Sequence, residues 1–263
     1  MKPTYKKWLQ ELIEPDSIDL DSFKIQDSLH PKFWDEQDKL DPRIRKRLVR
    51  IALKFMEELD ISKDDILDIT MTGSLANYNW SKFSDIDLHI IVNYSDIDSD
   101  SEMAQDYITA KRIQWNNTHN IKIYGFEVEV YVEDDSEEHM STGIYSVQYD
   151  QWKVKPTKQD VSFCEDCVQK KAAGLMDEVD SIENAFSEQR YNEVLTSTQR
   201  IKDKIKKMRQ SGLESGGAYS VENLAFKVLR RNGYLGKLSD LKNASYDELM
   251  SMENGGGRIR IKI

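Results

Sequence analysis

"TGSLANYNWSKFSDIDLHIIV", residues 72–92, decides how the chain is read. Gly73-Ser74 is followed, after ten residues, by Asp85-Ile86-Asp87, and the aspartates run straight into the mainly apolar segment of residues 88–92. Period-two alternation puts Asp85, Asp87 and His89 on one face of a strand and Ile86, Leu88 and Ile90 on the other. Ionised carboxylates beside a core strand are costly unless something cationic meets them. Two aspartates one residue apart at a strand end can share a divalent ion, and their oxygen ligands suit Mg2+ or Mn2+.

A third carboxylate is at hand in "GFEVEVYVE", residues 125–133, where Glu127, Glu129 and Tyr131 alternate with Val128, Val130 and Val132. Upstream, Gly73-Ser74 ends the strand "DILDITMTG" (residues 65–73). A strand that enters a helix through Gly-Ser exposes backbone N–H groups at the helix start, where an anion can bind. The Ser74 hydroxyl adds one more donor. Phosphate held by Gly73 and Ser74, with metal ions presented by Asp85 and Asp87, is what phosphoryl or nucleotidyl transfer requires.

Gly-Ser, ten residues, then Asp-Ile-Asp in an apolar strand resembles the signature of the DNA polymerase β-like nucleotidyltransferase superfamily. The resemblance covers roughly residues 65–132. It implies that Ser74 contacts phosphate, that Asp85 and Asp87 bind two Mg2+ (or Mn2+) ions, and that a carboxylate on a later strand completes the metal set. Glu129 matches that third position best, and Glu127 fits almost as well; glutamate there departs from the commoner aspartate. The implied fold is α+β: a nucleotidyltransferase-type mixed β-sheet flanked by helices, with an N-terminal helical segment and a C-terminal helical domain. The implied reaction moves an NMP from an NTP substrate to an acceptor hydroxyl and releases pyrophosphate. RNA, a protein or a small molecule could each be the acceptor. The alternative from another class is a catalytically silent binding protein of the same fold, such as a component of a toxin-antitoxin or phage-defence pair.

Working outward, residues 1–60 read as a helical segment broken at Pro15 and Pro31. Its best helix is "DPRIRKRLVRIALKFMEEL" (residues 41–59), with Pro42 in the first turn and Leu48, Ile51, Ala52, Phe55 and Leu59 on one stripe, which reads as a helix covering the core. Residues 61–160 form the catalytic domain: the two strands above, a helix over residues 101–118, a strand over residues 121–133 with a break at Gly125, and a hairpin over residues 143–156. Residues 161–254 read as a helical domain. Cys164, Val168, Ala172, Leu175, Val179, Ile182 and Phe186 form one stripe, and Val194, Ile201, Ile205 and Met208 another. "QSGLESGGAYS" (residues 210–220) reads as a linker before a short helix capped by Ser220. Residues 255–263 form a flexible basic tail.

In "RIKDKIKKMRQ" (residues 200–210), Lys202, Lys206 and Arg209 share one helical face. In the superfamily such a helical domain often grips the triphosphate or the acceptor, which makes Lys202 and Lys206 nucleotide-binding candidates; Lys227, Arg230 and Arg231 are a second basic group. The competing reading of both is a solvated face. His89 can contact a phosphate or be held within the sheet by hydrogen bonds. Residues 77–80 can shape a pocket, although a packed Trp80 is the plainer role. "CEDC", Cys164 to Cys167, has the spacing of half a zinc site but no second pair, so a structural role is expected, with Cys164 on the buried stripe.

The formal net charge is −10, which argues against a simple nucleic-acid coat. From Arg200 onward there are 14 Lys and Arg against 7 Asp and Glu, while the rest of the chain carries 23 against 40. No apolar run approaches the roughly 20 residues that span a bilayer. Two cysteines and a polar N-terminus point to a reducing, cytoplasmic setting.

Overall fold

The structure, a computed structural model, describes residues 17–97, 101–137 and 141–252. Two compact units are formed, one of residues 20–161 and one of residues 162–252 with residues 17–19.

The first unit is built on a mixed sheet of six strands among the described residues: β1 (Asp68–Thr72), β2 (Ile86–Val92), β3 (Lys122–Ile123), β4 (Phe126–Asp134), β5 (Ile144–Ser146) and β6 (Gln151–Val154). The spatial order is β3-β4-β2-β1-β5-β6. β2 and β4 are parallel and the other neighbours antiparallel. A parallel pair needs a crossover. Here it runs through α2 (Tyr94–Ile97), α3 (Ser101–Thr118) and β3.

The alternation expected for β2 is observed: Ile86, Leu88 and Ile90 are fully buried, while Asp87 and His89 are half-buried on the opposite face. α1 (Pro42–Glu58) packs on the apolar face. Its N-cap Asp41 accepts from the Arg43 amide, and Leu48, Ile51, Ala52 and Phe55 are buried. The Phe55 ring meets Trp115 of α3 at 5.3 Å, so both helices share one core with the sheet. Asn116 of α3 bonds both backbone groups of Val130 through its side-chain amide and so satisfies an edge that β3 is too short to cover.

Two details differ from the sequence reading of this unit. Residues 20–41 hold only a 3-10 turn (Asp21–Phe23) and an isolated bridge between Trp34 and Leu40, not a helix. Leu29, Phe33, Trp34 and Leu40 nonetheless join the core of the sheet unit, with the Trp34 indole donating to the Leu75 carbonyl at 2.8 Å. Residues 121–133 form two strands, because Tyr124 (φ 52°) and Gly125 (φ 94°) make a tight hairpin turn.

The second unit comprises α4 (Glu165–Ser187), α5 (Tyr191–Gly216), α6 (Val221–Arg231) and α7 (Tyr234–Met250). The α4 stripe begins at Val168, not at Cys164, which is exposed at the N-cap and disulfide-bonded to Cys167. The expected linker at residues 210–220 is helical as far as Gly216. Gly212 lies where α6 begins: a Cβ there would stand 2.5 Å from the Glu222 Cβ and 2.7 Å from the Ser220 Oγ. The glycine is therefore a close-packing position inside a helix. Ser220 caps α6 by accepting from the Asn223 amide at 3.2 Å. Residues 255–263, read as a basic tail, lie outside the described residues.

Candidate active site

Gly73 ends β1 with φ 74° and ψ −162°, a region that only glycine occupies without strain. The local geometry demands glycine a second time. A Cβ there would lie 1.7 Å from the Asp87 Oδ2, so the carboxylate rests directly against the Gly73 backbone.

Ser74 opens a 3-10 turn, Ser74–Ala76, and not the helix expected. That turn is too short to carry a macrodipole, so any anion-binding capacity rests on its individual N–H groups and hydroxyl. The Ser74 hydroxyl donates to Ser84 Oγ at 2.7 Å, and the same Ser84 oxygen accepts from the Ser81 amide at 2.9 Å. Ser84 immediately precedes Asp85. The Gly-Ser corner is thus fastened twice to the aspartate segment, through the backbone at Asp87 and through a side chain beside Asp85. On its far side, Gly143 allows the Ala76 carbonyl a close approach that any Cβ, at 2.2 Å, would block.

Sheet register brings the acidic residues to one edge of the polar face. Thr72 pairs with Asp87 across β1 and β2, and Asp87 pairs with Glu129 across β2 and β4. Glu127 faces Lys122 across the β3–β4 hairpin, and one further step of the β2–β4 register sets it level with Asp85. The Tyr131 hydroxyl donates to Glu129 Oε2. Burial above all, then this hydrogen bond and the negative charges of Glu129 and Asp87, push the Tyr131 phenol up, so it stays a neutral donor.

Behind the acidic edge lies a second polar layer. His89 stacks on Tyr131 at 4.8 Å, its Nδ1 lies 2.7 Å from Glu133 Oε1, and its Nε2 lies 3.0 Å from the Thr72 hydroxyl. A carboxylate can only accept, so Nδ1 carries the proton and, in the neutral ring, Nε2 accepts from Thr72. His89 is therefore a hydrogen-bonded member of the sheet. Thr72 and Glu133 were not singled out from sequence; their period-two spacing with the other polar-face residues is the signal that marks them.

Asp85, Asp87 and Glu129 offer carboxylate oxygens only, a donor set suited to hard divalent ions such as Mg2+ or Mn2+. Among the described residues no three His, Cys, Asp or Glu side chains are already drawn together as a ligand set. In this conformation the Glu129 carboxylate is held by Tyr131.

The loop at residues 77–80 is tied down: Asn77 donates to Thr142 Oγ1, the Tyr78 carbonyl accepts from the Gln26 amide, and the Trp80 indole donates to the Ser28 carbonyl. Trp80 also packs edge-on against His30 at 4.4 Å. Lys202, Lys206 and Arg209 belong to the helical unit, where they line a cavity together with the apolar side chains Phe226 and Leu238. Lys227 is half-buried, and its ammonium is pushed down to about 8 by burial and by Arg231, Arg230 and Arg209. Among the described residues no helix is long and apolar enough to cross a membrane.

No protein-family model and no curated protein matches the chain. Among solved structures, the chain aligns with that of the STING-associated CdnE c-di-GMP synthase from Capnocytophaga granulosa, at 14% sequence identity and a TM-score of 0.21, over 80% of this chain and 84% of that one.

Proposed function

We propose that the chain is a metal-dependent nucleotidyltransferase that transfers an NMP from an NTP to an acceptor hydroxyl with release of pyrophosphate. The observation that carries this reading is the contact between the Gly73 backbone and the Asp87 carboxylate, with Glu129 next to Asp87 in the sheet. It sets the Gly-Ser corner, Asp87 and the strand of Glu129 next to one another.

In this reading the Gly73-Ser74 corner holds phosphate oxygens with its amides and hydroxyl. Asp85 and Asp87 hold the divalent ions, and Glu129 completes the set on the side of the attacking hydroxyl. The ions, when bound, supply Lewis-acid stabilisation of the reacting phosphate and its leaving group. Tyr131 occupies one oxygen of Glu129 and leaves the other for a ligand. The His89 layer, tied to Thr72 and Glu133, holds the flanking strands in register.

Incubation with α-32P-labelled NTPs, Mg2+ and candidate acceptors tests the reading by where the label goes. Label should appear in an acceptor or a dinucleotide product, and Asp85→Ala and Asp87→Ala should each abolish it without loss of fold, since a metal is worth several kcal/mol to such a step. Undiminished transfer in both variants removes the basis of the proposal. The second reading, a silent binding protein, is favoured by one observation: Glu129 is already engaged by Tyr131. Calorimetry separates the two, because the enzyme should bind NTP in a Mg2+-dependent way whether or not an acceptor is present.

A further inference from the structure

The cavity between α5, α6 and α7 has a volume of about 500 Å3, within the range of small-molecule sites. Its floor is apolar. Ile205 and Leu238 are buried there, Phe226 and Leu235 border it, and Leu213 stands at its edge 42% exposed. Three cations, Lys202, Lys206 and Arg209, line one side.

Several other cations of the bundle have carboxylate partners. Lys204 pairs with Glu178, Lys171 with Glu222, and Lys237 with both Asp180 and Glu183. Among the described residues, Lys202, Lys206 and Arg209 pair with no carboxylate. Lys202 Nζ donates to the neutral Ser239 Oγ at 3.0 Å. Arg209 lies over the Phe226 ring at 4.2 Å and donates to the Asn223 side-chain oxygen at 3.4 Å. The one carboxylate in the lining, Glu214, accepts from Gln210. Burial first, and then the like charges Lys242 and Arg230, push the Lys202 ammonium and the Arg209 guanidinium down. An anion among them would relieve that penalty.

Two demands have to be met at once. A bare polyphosphate would answer the cations and leave the apolar floor unfilled. A neutral hydrocarbon would fill the floor and strand the cations. We propose that this cavity binds an amphipathic anion, an aliphatic carboxylate whose head lies between Lys202 and Lys206 and whose tail covers Phe226 and Leu238. The proposal does not rest on the nucleotide chemistry proposed for the sheet unit, and it gives Lys202 and Lys206 a different ligand from the triphosphate expected of them.

Calorimetry on the full chain tests it, with decanoate below its micellar concentration as the probe and decanol and inorganic tripolyphosphate as controls. Decanoate should bind saturably at one site, decanol at least about tenfold more weakly, and tripolyphosphate should not displace decanoate. Lys202→Gln/Lys206→Gln should weaken decanoate by about tenfold or more. Ser239→Glu should do the same by a different route, since its carboxylate would pair with Lys202 in place of the ligand while the melting temperature holds or rises. No saturable decanoate binding, equal affinity for decanol, displacement by tripolyphosphate, or wild-type affinity in both variants would each overturn the proposal. No outcome depends on NTP turnover, so failure here is separable from failure of the nucleotidyltransferase reading.

Discussion

Gly73 and Asp87 are constrained by each other more than either is by the rest of the fold. A side chain at Gly73 meets two obstacles: a backbone conformation closed to L-residues and the oxygen of Asp87 at 1.7 Å. Gly73→Ala should therefore cost about 1–3 kcal/mol from the backbone alone, with a further part from displacing the carboxylate. Only that further part can vanish when Asp87 is shortened. Urea unfolding of Gly73→Ala, Asp87→Ala and the double variant should thus show a favourable coupling of about 0.5 kcal/mol or more; strict additivity would mean that the two residues do not touch. Beside them, the pairing of Asp87 with Glu129 ranks the two glutamates. Glu129→Gln should suppress NMP transfer while sparing much of the NTP affinity, which rests on the aspartate pair, and Glu127→Gln should be mild. Measured kcat and Kd values in the opposite order would move the third ligand one pair along the strand.

Elements whose sequence period matched their surroundings were legible, and those shaped by a particular neighbour were not. The β2 alternation and the α1 stripe were visible because each buries one regular face against a single core. Residues 18–41 send Leu29, Phe33, Trp34 and Leu40 into the core from largely irregular backbone, and the short i, i+4 step from Leu29 to Phe33 imitates a helix that is not there. Cys164 fell in step with the α4 stripe yet lies before its first turn, where the disulfide and the cap hold it in the open. At the candidate site the aspartates, Gly73 and Ser74 were legible as a spaced motif. The Tyr131 contact with Glu129 and the His89 layer were not, since both depend on register between strands distant in sequence. Gly212 shows the same difficulty in a helix: its glycine neighbours signal a turn, but the structure uses it for contact with Ser220 and Glu222. Alanine in an exposed helix interior normally gains up to about 1 kcal/mol over glycine. Gly212→Ala should reverse that sign and destabilise by about 1–3 kcal/mol through overpacking, seen as a lower midpoint in denaturant; a raised midpoint would show that α5 and α6 do not approach closely in solution.

Across the whole molecule the charge is divided as the sequence suggests, with the excess of Lys and Arg falling within the residues that follow Arg200. Part of that excess is concentrated where water is scarce. Lys227 is half-buried, with Arg231, Arg230 and Arg209 as its charged neighbours, and its ammonium is held near 8 against an ordinary 10.5. A lysine whose folded value is lowered weakens the fold wherever it is charged. Below about 8 both folded and unfolded chains bind the proton and the folded state bears the whole penalty. Between about 8 and 10.5 the unfolded chain binds more protons, so stability rises with pH. Tyr94, Tyr145 and Tyr234, pushed up to about 12 mainly by burial, act in the opposite direction, but only above the ordinary phenol value of 10.0. Lys202, also lowered, acts in the same direction, so urea unfolding at pH 7 and pH 9.5, followed by helical circular dichroism, isolates Lys227 by comparison with a variant at that position. Lys227→Met should raise stability at pH 7 by about 1–3 kcal/mol, because the distance between the two values is worth about 1.4 kcal/mol for each pH unit it covers, less what partial exposure to water screens. The same variant should flatten the gain between the two pH values. If the variant gains as much stability between pH 7 and 9.5 as the parent chain does, the proton lost in that window belongs to another group and Lys227 is fully solvated.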